Sequence, residues 1–352
     1  MNSSIRVGLI GFGLSAQAFH LPLLTFVPGF EIVTVVSSNK PKVQELLPGV
    51  EVVDDAARLF TDPAIDMVVI TTPNFTHYAL AKAALTSGKH VVVEKPFVTS
   101  SAEAMELIEL AARQEKVLSV YHNRRWDNDF LTLKDVIGSG SLGHIHTFHS
   151  QFDKFRPDVT TRWKDQDQAG SGQLYDLGSH LIDQALQLFG LPETVYGDLQ
   201  IQKSGGQVDD YFHIVLGYAE LRVVLQSGSM VKNSGIRFQL HGDKGSFVKR
   251  GLDSQEGLLR AGRGPQDPAW GLDTANQYGE LDTAQPDARM RVQTVPGSYE
   301  RYYELLYEAV TAGRPVPVRA DEALQVIQVI ELVQQSHREQ RVIPVGGCLK
   351  SF

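Results

Sequence analysis

The sequence predicts an α/β fold, in which a doubly wound parallel sheet precedes an α+β region with a large, mostly antiparallel open sheet. From Ile5 to about Val120, short β-branched runs alternate with helical stretches, which is the pattern of parallel strands joined by crossover helices. After Tyr121, strand-like runs follow one another through short turns, which favours antiparallel strands. We therefore expect two domains, at residues 1–121 and 122–352.

Strands and helices alternate in the first domain. Its strands are predicted at Ile5–Ile10, Glu31–Val36, Val50–Val53, Asp66–Thr71, His90–Glu94 and Val117–Val120. Its helices are predicted at Ser15–Phe26, Pro41–Leu47, Ala56–Phe60, Thr76–Ser87 and Ser100–Lys116. In the last helix, Ala, Met, Leu and Ile recur at three-to-four spacing and so share one buried face.

The second domain mixes helices and strands. Its strands are predicted at Ile145–Phe152, Val195–Ile201, Tyr211–Gly217, Leu221–Ser227, Ile236–Gly242 and Ser246–Arg250. Its helices are predicted at Phe130–Ile137, Asp176–Phe189, Tyr299–Thr311 and Asp321–Gln340. Residues Arg260–Pro286 carry Gly, Pro, Asp and Gln without periodicity, so we expect a long surface excursion there.

Composition narrows the class of protein. The chain is 42% hydrophobic and 21% charged with a net charge of -8, and its basic residues form no long run, so we expect neither a nucleic-acid nor a membrane partner. The N-terminus has no basic leader followed by a long apolar region, which favours a soluble cytoplasmic protein. The only cysteine, Cys348, excludes an intrachain disulfide and a site built from several cysteines.

The first predicted strand ends in a glycine-rich turn. Gly11, Phe12, Gly13 and Ala16 form a G-x-G-x-x-A pattern between a strand and a helix. The first glycine permits the tight turn, the second lets the backbone approach a pyrophosphate, and the small third residue lets the helix pack closely. The pattern also fits an ordinary glycine turn, but the strand–helix units that follow favour a dinucleotide-binding Rossmann domain.

The end of the second strand indicates the type of dinucleotide. An Asp or Glu normally holds the ribose hydroxyls of NAD there, but this strand runs into Ser37 and Ser38. A carboxylate would repel the 2′-phosphate of NADP, whereas two hydroxyls with Lys40 or Lys42 nearby can bind it. We therefore favour NADP over NAD, and the alternative is that these are ordinary polar turn residues.

Further polar residues follow the fourth and fifth strands, at the sheet edge where doubly wound proteins bind ligands. They are Thr72, Pro73, Asn74 and His77 after strand four, and Glu94 and Lys95 after strand five. A lysine beside a carboxylate can hydrogen-bond a substrate hydroxyl and favour its developing alkoxide. The alternative for Lys95 is a surface lysine paired with Glu94.

A carboxylate and an imidazole stand four residues apart in the second domain. Asp176 and His180 therefore share one face of a predicted helix. Oxidation of an alcohol needs a base for the hydroxyl proton, and a histidine near neutral pKa suits this role. If His180 lies in the first turns of its helix, the helix dipole keeps the base form available. The alternative is a core histidine and a helix cap; we expect no metal, since no third ligand follows at regular spacing.

These motifs occur in an order that resembles the glucose–fructose oxidoreductase, inositol 2-dehydrogenase and rhizopine catabolism family, written Gfo/Idh/MocA. The resemblance covers essentially the whole chain and rests on the glycine turn, Thr72–Asn74 with His77, Glu94–Pro96, Asn123–Asp127 and the Asp176–Asp183 segment. Ser37–Ser38, Arg162–Lys164 and Asp267–Gly271 are most similar to the bacterial subgroup that includes NADP-dependent scyllo-inositol dehydrogenase.

The resemblance implies roles for individual residues. Lys95 would contact the cofactor and the substrate, Asp176 would orient the reacting groups, and His180 would accept the proton. Residues expected to line the cofactor include Glu94, Thr72–Asn74 and Asn123. Arg162 and Trp163 would approach the nicotinamide or the sugar; an Arg beside an aromatic residue suits polyol binding, but it equally suits a packed surface corner.

The resulting hypothesis is an NADP-dependent dehydrogenase that interconverts a secondary alcohol of a cyclic polyol or sugar with its ketone. Two alternatives are a sugar–sugar oxidoreductase with tightly bound NADP and a dinucleotide-binding sensor on the same fold. An open sheet with Val, Leu and Ile on both faces would leave one apolar face uncovered, which predicts a homodimer or a higher homo-oligomer joined through the second domain.

Overall fold

The computed structural model describes residues 4–284 and 287–346, so the prediction for Cys348 lies outside the described residues. The first strands are β1 Ile5–Ile10, β2 Phe30–Val36, β3 Glu51–Val53, β4 Met67–Ile70, β5 His90–Glu94 and β6 Leu118–Tyr121. The helices between them are α1 Leu21–Phe26, α2 Lys40–Leu46, α3 Ala57–Thr61, α4 His77–Thr86 and α5 Ser101–Arg113. A π-helical turn, Ala16–His20, leads directly into α1.

The remaining elements follow in chain order. They are α6 Asn128–Gly138, β7 Ile145–Gln151, α7 Ser179–Phe189, β8 Thr194–Gln200, β9 Tyr211–Gly217, β10 Arg222–Gly228, β11 Ile236–Gly242, β12 Gly245–Arg250, α8 Gln255–Arg260, β13 Gly279–Ala284, β14 Asp287–Val292, α9 Glu300–Ala312, α10 Ala320–Glu339 and β15 Ile343–Pro344. Short 3-10 turns lie at Asn74–Thr76, Asn123–Trp126, Trp163–Asp165 and Ala275–Gln277, and a second π-helical turn lies at Leu174–Gly178.

The chain forms two compact units, and neither is continuous in sequence. Among the described residues, the first unit contains 4–123, 255–270 and 298–324, and the second contains 124–254, 271–284, 287–297 and 325–346. The predicted domain bounds, 1–121 and 122–352, stay a prediction. Two late segments, residues 255–270 and 298–324, belong to the first unit. The described residues include no helix with the length and apolarity needed to span a membrane.

The first unit contains the predicted parallel sheet. Its strand order is β3-β2-β1-β4-β5-β6, and every pairing is parallel. The central strands read as continuous Val and Ile runs because helices cover both faces of such a sheet. β4 is buried along its whole length, as this explanation requires.

The second unit contains a nine-stranded sheet in the order β14-β13-β12-β11-β7-β10-β9-β8-β15. Only β7 and β10 pair in parallel among the pairings described, so the predicted mostly antiparallel sheet is confirmed. Large apolar side chains such as Phe148, Ile214 and Leu225 are fully buried. The residues that alternate with them, including His149 and His213, are half-buried.

The expectation of a long surface excursion at Arg260–Pro286 holds for most of the irregular part, residues 261–278, and is wrong for the end of the segment. Gly279–Ala284 forms β13 and pairs with β12, with Leu281 buried between charged neighbours. Trp270 is also buried, and its indole N–H donates to Glu300 at 2.8 Å. Gln285 and Pro286 lie outside the described residues. A strand with a single large apolar side chain gives almost no periodic signal, which explains the error.

Candidate functional site

The carboxyl edge of the parallel sheet collects the polar residues predicted there. The register pairs Ile10 with Val36 on one side and with Ile70 on the other, and it pairs Ile70 with Val93. The residues that follow these strands therefore emerge side by side. They are Gly11–Gly13, Ser37–Ser38, Thr72–Asn74 and Glu94–Lys95, with Asn123 following β6.

The glycine turn fits a dinucleotide. Gly11 has φ +92°, and a Cβ there would lie 3.0 Å from the Thr71 hydroxyl oxygen, so only glycine suits this turn. A Cβ added at Gly13 would meet nothing within 4 Å, which means that the space beside the turn is open. These are the close turn and the open approach that a pyrophosphate requires.

Glu94 is buried in the first unit and accepts three hydrogen bonds from different parts of it. Its Oε1 accepts from His20 Nε2 at 3.0 Å and from the Ser15 hydroxyl, and its Oε2 accepts from the Lys95 backbone N–H at 2.9 Å. Burial by itself would raise the pKa of Glu94, but the hydrogen bond and charge of His20 outweigh it and lower the pKa to about 2. The glycine turn is thus tied to the segment that carries Lys95.

The same network continues into the late part of the chain. The other ring nitrogen of His20 lies 2.6 Å from the Tyr303 hydroxyl, and the His20 ring packs 4.2 Å from the Tyr121 ring. His20 and Tyr303 are fully buried. Sequence analysis missed these residues because they lie far apart in the chain and carry no motif of their own.

His77 is fully buried behind two turns of the sheet edge. Its Nε2 lies 2.9 Å from the Thr72 carbonyl oxygen and its Nδ1 lies 3.0 Å from the Pro96 carbonyl oxygen. Burial lowers the pKa of His77, against the pull of both carbonyls toward the protonated ring. The contacts fix the Thr72–Asn74 turn against the Lys95–Pro96 turn, so any part His77 plays in cofactor binding is exerted through them.

The end of β2 is exposed and polar. The Ser37 hydroxyl accepts from the Asn39 N–H at 3.1 Å, and the Asn39 side chain caps α2 by accepting from the Lys42 N–H at 3.2 Å. The Lys42 ammonium pairs with Glu45 at 3.0 Å, while Ser38 and Lys40 are exposed. This segment carries hydroxyls and ammonium groups, and no carboxylate follows β2 before α2.

Asp176 and His180 lie on one helix of the second unit. Asp176 belongs to the π-helical turn, and His180 is the second residue of α7 and is 4% exposed. Right-handed helical backbone begins at Gln173, about two turns before His180. The expected influence of the helix dipole on His180 is therefore weak, because that field falls off within the first turn.

The carboxylate of Asp176 has a cationic partner. The Lys164 ammonium donates to Asp176 Oδ1 at 2.6 Å, and the side chains are 42% and 24% exposed. Lys164 lies in the Trp163–Asp165 turn. Sequence analysis named it only as a detail of the resemblance, since no helical or strand spacing connects it with Asp176.

Arg162 and Trp163 lie in the same loop. The Arg162 guanidinium donates to the Thr160 hydroxyl at 2.9 Å and pairs with Asp165 at 3.5 Å. Trp163 is half-buried. These contacts match the packed corner weighed above, and a role for either residue in substrate binding stays a prediction.

A bidentate ion pair anchors α7. Arg125 Nη2 lies 2.6 Å from Asp183 Oδ1, and its Nε lies 2.9 Å from Oδ2, with both side chains buried. The next residue, Gln184, donates to the Arg124 carbonyl and accepts from Arg237 at 2.8 Å. The helix that carries His180 is thereby held on its polar side as well as through its apolar packing.

Asp209 caps the start of the same helix. Its carboxylate accepts from the Leu174 N–H at 2.6 Å, and its backbone carbonyl accepts from the Gln173 N–H at 2.8 Å. Gly172 leaves room for it, because a Cβ there would lie 2.3 Å from Asp209 Oδ1. Burial raises the pKa of Asp209 to about 7, although the Leu174 hydrogen bond lowers it.

We expect Asp209→Asn to change how stability depends on pH. The folded pKa lies above the unfolded value, so from about pH 4 to 7 the folded state holds a proton that the unfolded state has lost. The free energy of unfolding of the wild type should fall relative to that of Asp209→Asn by up to about 1.4 kcal/mol per pH unit across this window. Urea unfolding of both proteins at several pH values measures the difference. Parallel curves would contradict the assignment.

The fold and the first unit define a dinucleotide-binding oxidoreductase architecture, and comparisons with known proteins identify the family. Residues 5–122 match the model of the oxidoreductase family NAD-binding Rossmann fold, and residues 134–345 match the C-terminal alpha/beta domain of the same family. The chain belongs to the Gfo/Idh/MocA oxidoreductase family. The predicted fold class and the predicted nicotinamide-dependent dehydrogenase acting on a CH–OH group are confirmed.

Individual relatives cover nearly the whole chain. The scyllo-inositol 2-dehydrogenase (NADP(+)) IolW of Bacillus subtilis is 43% identical over 344 residues, 97% of this chain and 96% of that protein. The uncharacterized oxidoreductase YdgJ of Escherichia coli is 45% identical over 97% of this chain and 99% of its own length. The solved structure of yvaA from Bacillus subtilis superposes with a TM-score of 0.95 at 41% identity, covering 98% of this chain and 99% of that chain.

Proposed function

We propose that the protein is an NADP-dependent dehydrogenase that interconverts a secondary alcohol of a cyclic polyol or sugar with its ketone. The observation that carries most weight is the 43% identity over 97% of the chain to scyllo-inositol 2-dehydrogenase (NADP(+)). A second relative, D-glucoside 3-dehydrogenase of Escherichia coli, is 28% identical over 60% of this chain. Both named relatives oxidise a ring hydroxyl, which supports the polyol or sugar class.

The proposed roles follow the chemistry of the side chains. Lys95 donates a hydrogen bond to the substrate hydroxyl oxygen and stabilises the alkoxide that develops there. His180 accepts the hydroxyl proton, and Asp176 orients the reacting groups. A nicotinamide held by the first unit would supply the hydride acceptor for the carbinol carbon. The overall balance is alcohol plus NADP⁺ to ketone, NADPH and one proton.

The dinucleotide is held by the first unit. We assign the pyrophosphate to the turn of Gly11, Phe12, Gly13 and Ala16, because that turn has the required glycine geometry and open space. Ser37 and Ser38 bind the 2′-phosphate, with Lys40 supplying charge. The remaining predicted cofactor residues are Thr72, Pro73, Asn74, His77, Glu94, Lys95 and Asn123.

The test of this function is a change in nicotinamide absorbance. Purified protein is incubated with NADP⁺ or NAD⁺ and a panel of inositols and aldoses, and in the reverse direction with NADPH and the matching ketones. Turnover of at least one ring polyol, faster with NADP⁺, is the expected result. The contradicting result is a protein that binds NADPH but neither oxidises it nor forms it with any compound of the panel. That result would favour a sensor role.

Ser37→Asp is expected to shift the cofactor preference toward NAD. A carboxylate at this half-buried position would repel the 2′-phosphate, and it can still accept from the Asn39 N–H as the hydroxyl does. The ratio of kcat/KM for NADP⁺ to that for NAD⁺ should fall on the order of tenfold. Ser37→Ala is the matched control, since it removes the hydroxyl without adding charge. An unchanged ratio in Ser37→Asp would show that the 2′-phosphate is bound elsewhere.

A homodimer through the second unit remains part of the proposal, together with a cytoplasmic location. The large apolar side chains gather on one side of the sheet. The other side mixes Val215 and Val224 with His149, His213 and Gln226, all half-buried. Sedimentation at micromolar concentration should give the mass of a dimer, and a monomer would remove this proposal.

A further inference from the structure

The loop before the Asp176 helix holds a lysine in an unusual pairing. The next residue after Lys164 is a carboxylate, Asp165, yet the Lys164 ammonium bonds Asp176, twelve residues further on. Asp165 is already engaged by two groups of the loop and by Lys203, which lies between β8 and β9. Its Oδ2 accepts from the Thr160 hydroxyl and lies 3.5 Å from Arg162, and its Oδ1 lies 3.8 Å from the Lys203 ammonium.

These contacts fix the loop independently of Lys164. Burial by itself would raise the pKa of Asp165, but the Thr160 hydrogen bond and the nearby cations lower it. The Lys203 side chain is only 9% exposed, so it packs against the loop from the segment between β8 and β9. Lys164, by contrast, is 42% exposed and projects toward a carboxylate that is itself accessible to solute. The loop therefore presents the Lys164–Asp176 pair at the surface of the second unit.

An ammonium beside a carboxylate recognises a particular arrangement of hydroxyls. A hydroxyl group both donates and accepts, so one hydroxyl can donate to the carboxylate while its neighbour accepts from the ammonium. The bond to Asp176 uses one of the three donors that an ammonium carries. A vicinal diol fits such a pair, whereas an isolated alcohol engages only one half of it.

We infer that Lys164 determines substrate specificity by binding the hydroxyl next to the reacting one. The inference rests on the proposed function and deepens it: the substrate class becomes a vicinal diol of a ring polyol. The Trp163 ring supports this arrangement, because its centroid lies 5.7 Å from the Lys164 ammonium and offers an apolar surface to ring C–H groups.

Lys164→Met tests the inference, since methionine keeps the chain length and removes the charge. We expect the dissociation constant of scyllo-inositol or myo-inositol, measured calorimetrically with NADPH present, to rise about 10- to 100-fold. KM should rise with it, kcat should fall less, and the dissociation constant of NADPH should not change. Lys164→Arg should recover part of the affinity. Lys203→Met is the matched control, because it removes a lysine that contacts the loop through Asp165 and leaves the Lys164–Asp176 pair in place.

The possible results distinguish a failure of the role given to Lys164 from a failure of the proposed function. Unchanged inositol affinity and KM in Lys164→Met would overturn the role of Lys164 and leave the proposed function standing. An equal loss of affinity in Lys203→Met, together with no recovery in Lys164→Arg, would also overturn it, because the effect would then come from loop order and not from the charge at residue 164. A wild-type protein that binds neither these inositols nor any other vicinal diol of the panel would overturn this inference and the proposed function together.

Discussion

His180→Ala and Lys95→Ala should each lower kcat about 10²- to 10⁴-fold, the range found when a general acid or base is removed. His180 is the proposed proton acceptor, and Lys95 the proposed donor to the substrate oxygen. His180→Ala should keep the affinity of the wild type for NADPH within a few fold, since His180 is not among the predicted cofactor residues. Lys95→Ala should also weaken NADPH binding, since Lys95 is expected to contact the cofactor. Steady-state kinetics together with fluorescence titration of NADPH measure the two effects separately.

The matched control for this prediction is His213→Ala. His213 lies in β9, is half-buried and belongs to the same unit as His180. It should leave kcat unchanged. A His180→Ala enzyme with a kcat near that of the wild type would show that another group takes the proton, and the roles given to Asp176 and His180 would have to be withdrawn.

Lys249→Met should reduce the free energy of unfolding by about 3–5 kcal/mol, because it leaves a buried carboxylate without its cation. The Lys249 ammonium lies 2.9 Å from Asp273 Oδ2, and both side chains are 0% exposed. Asp273 also accepts from Asn128 at 3.0 Å and from the Thr294 hydroxyl at 2.9 Å, so its carboxylate is held in place when Lys249 is lost. Urea unfolding followed by circular dichroism measures the change.

An exposed ion pair of the same sheet provides the comparison. Arg289 in β14 pairs with Glu280 in β13, with side chains 69% and 39% exposed. Exposed pairs are screened by water and salt, so Arg289→Met should leave the unfolding curve where it is. Equal effects of Lys249→Met and Arg289→Met would contradict the distinction drawn here between buried and exposed charge.

The parallel sheet could be predicted because its strands are short, continuous Val and Ile runs. The nine-stranded sheet was only partly predictable. β13 carries Glu280 and Asp282 around its one large apolar residue, so its place in the sheet depends on pairing with β12 and not on its own pattern. The membership of α9 in the first unit could not be predicted either, since it depends on the contact between Tyr303 and His20, which are 283 residues apart.

The candidate site divides in the same way. Motif residues such as Gly11 and Lys95 follow from strand ends, where spacing and chemistry can be read together. The partners that hold them do not, since Glu94 meets His20 across 74 residues and Lys164 meets Asp176 through an irregular loop. Loop conformation and long-range contacts depend on the whole tertiary structure, so a local sequence pattern does not predict them.

Hydride transfer to a ring ketone is the central claim, and isotope transfer tests it most directly. NADPH carrying deuterium at the transferable position of its nicotinamide is incubated with the protein and the keto form of an inositol, and the product is analysed by mass spectrometry. The account predicts a polyol that carries one deuterium on the former carbonyl carbon. An unlabelled polyol, or no reduction although NADPH is bound, would contradict it.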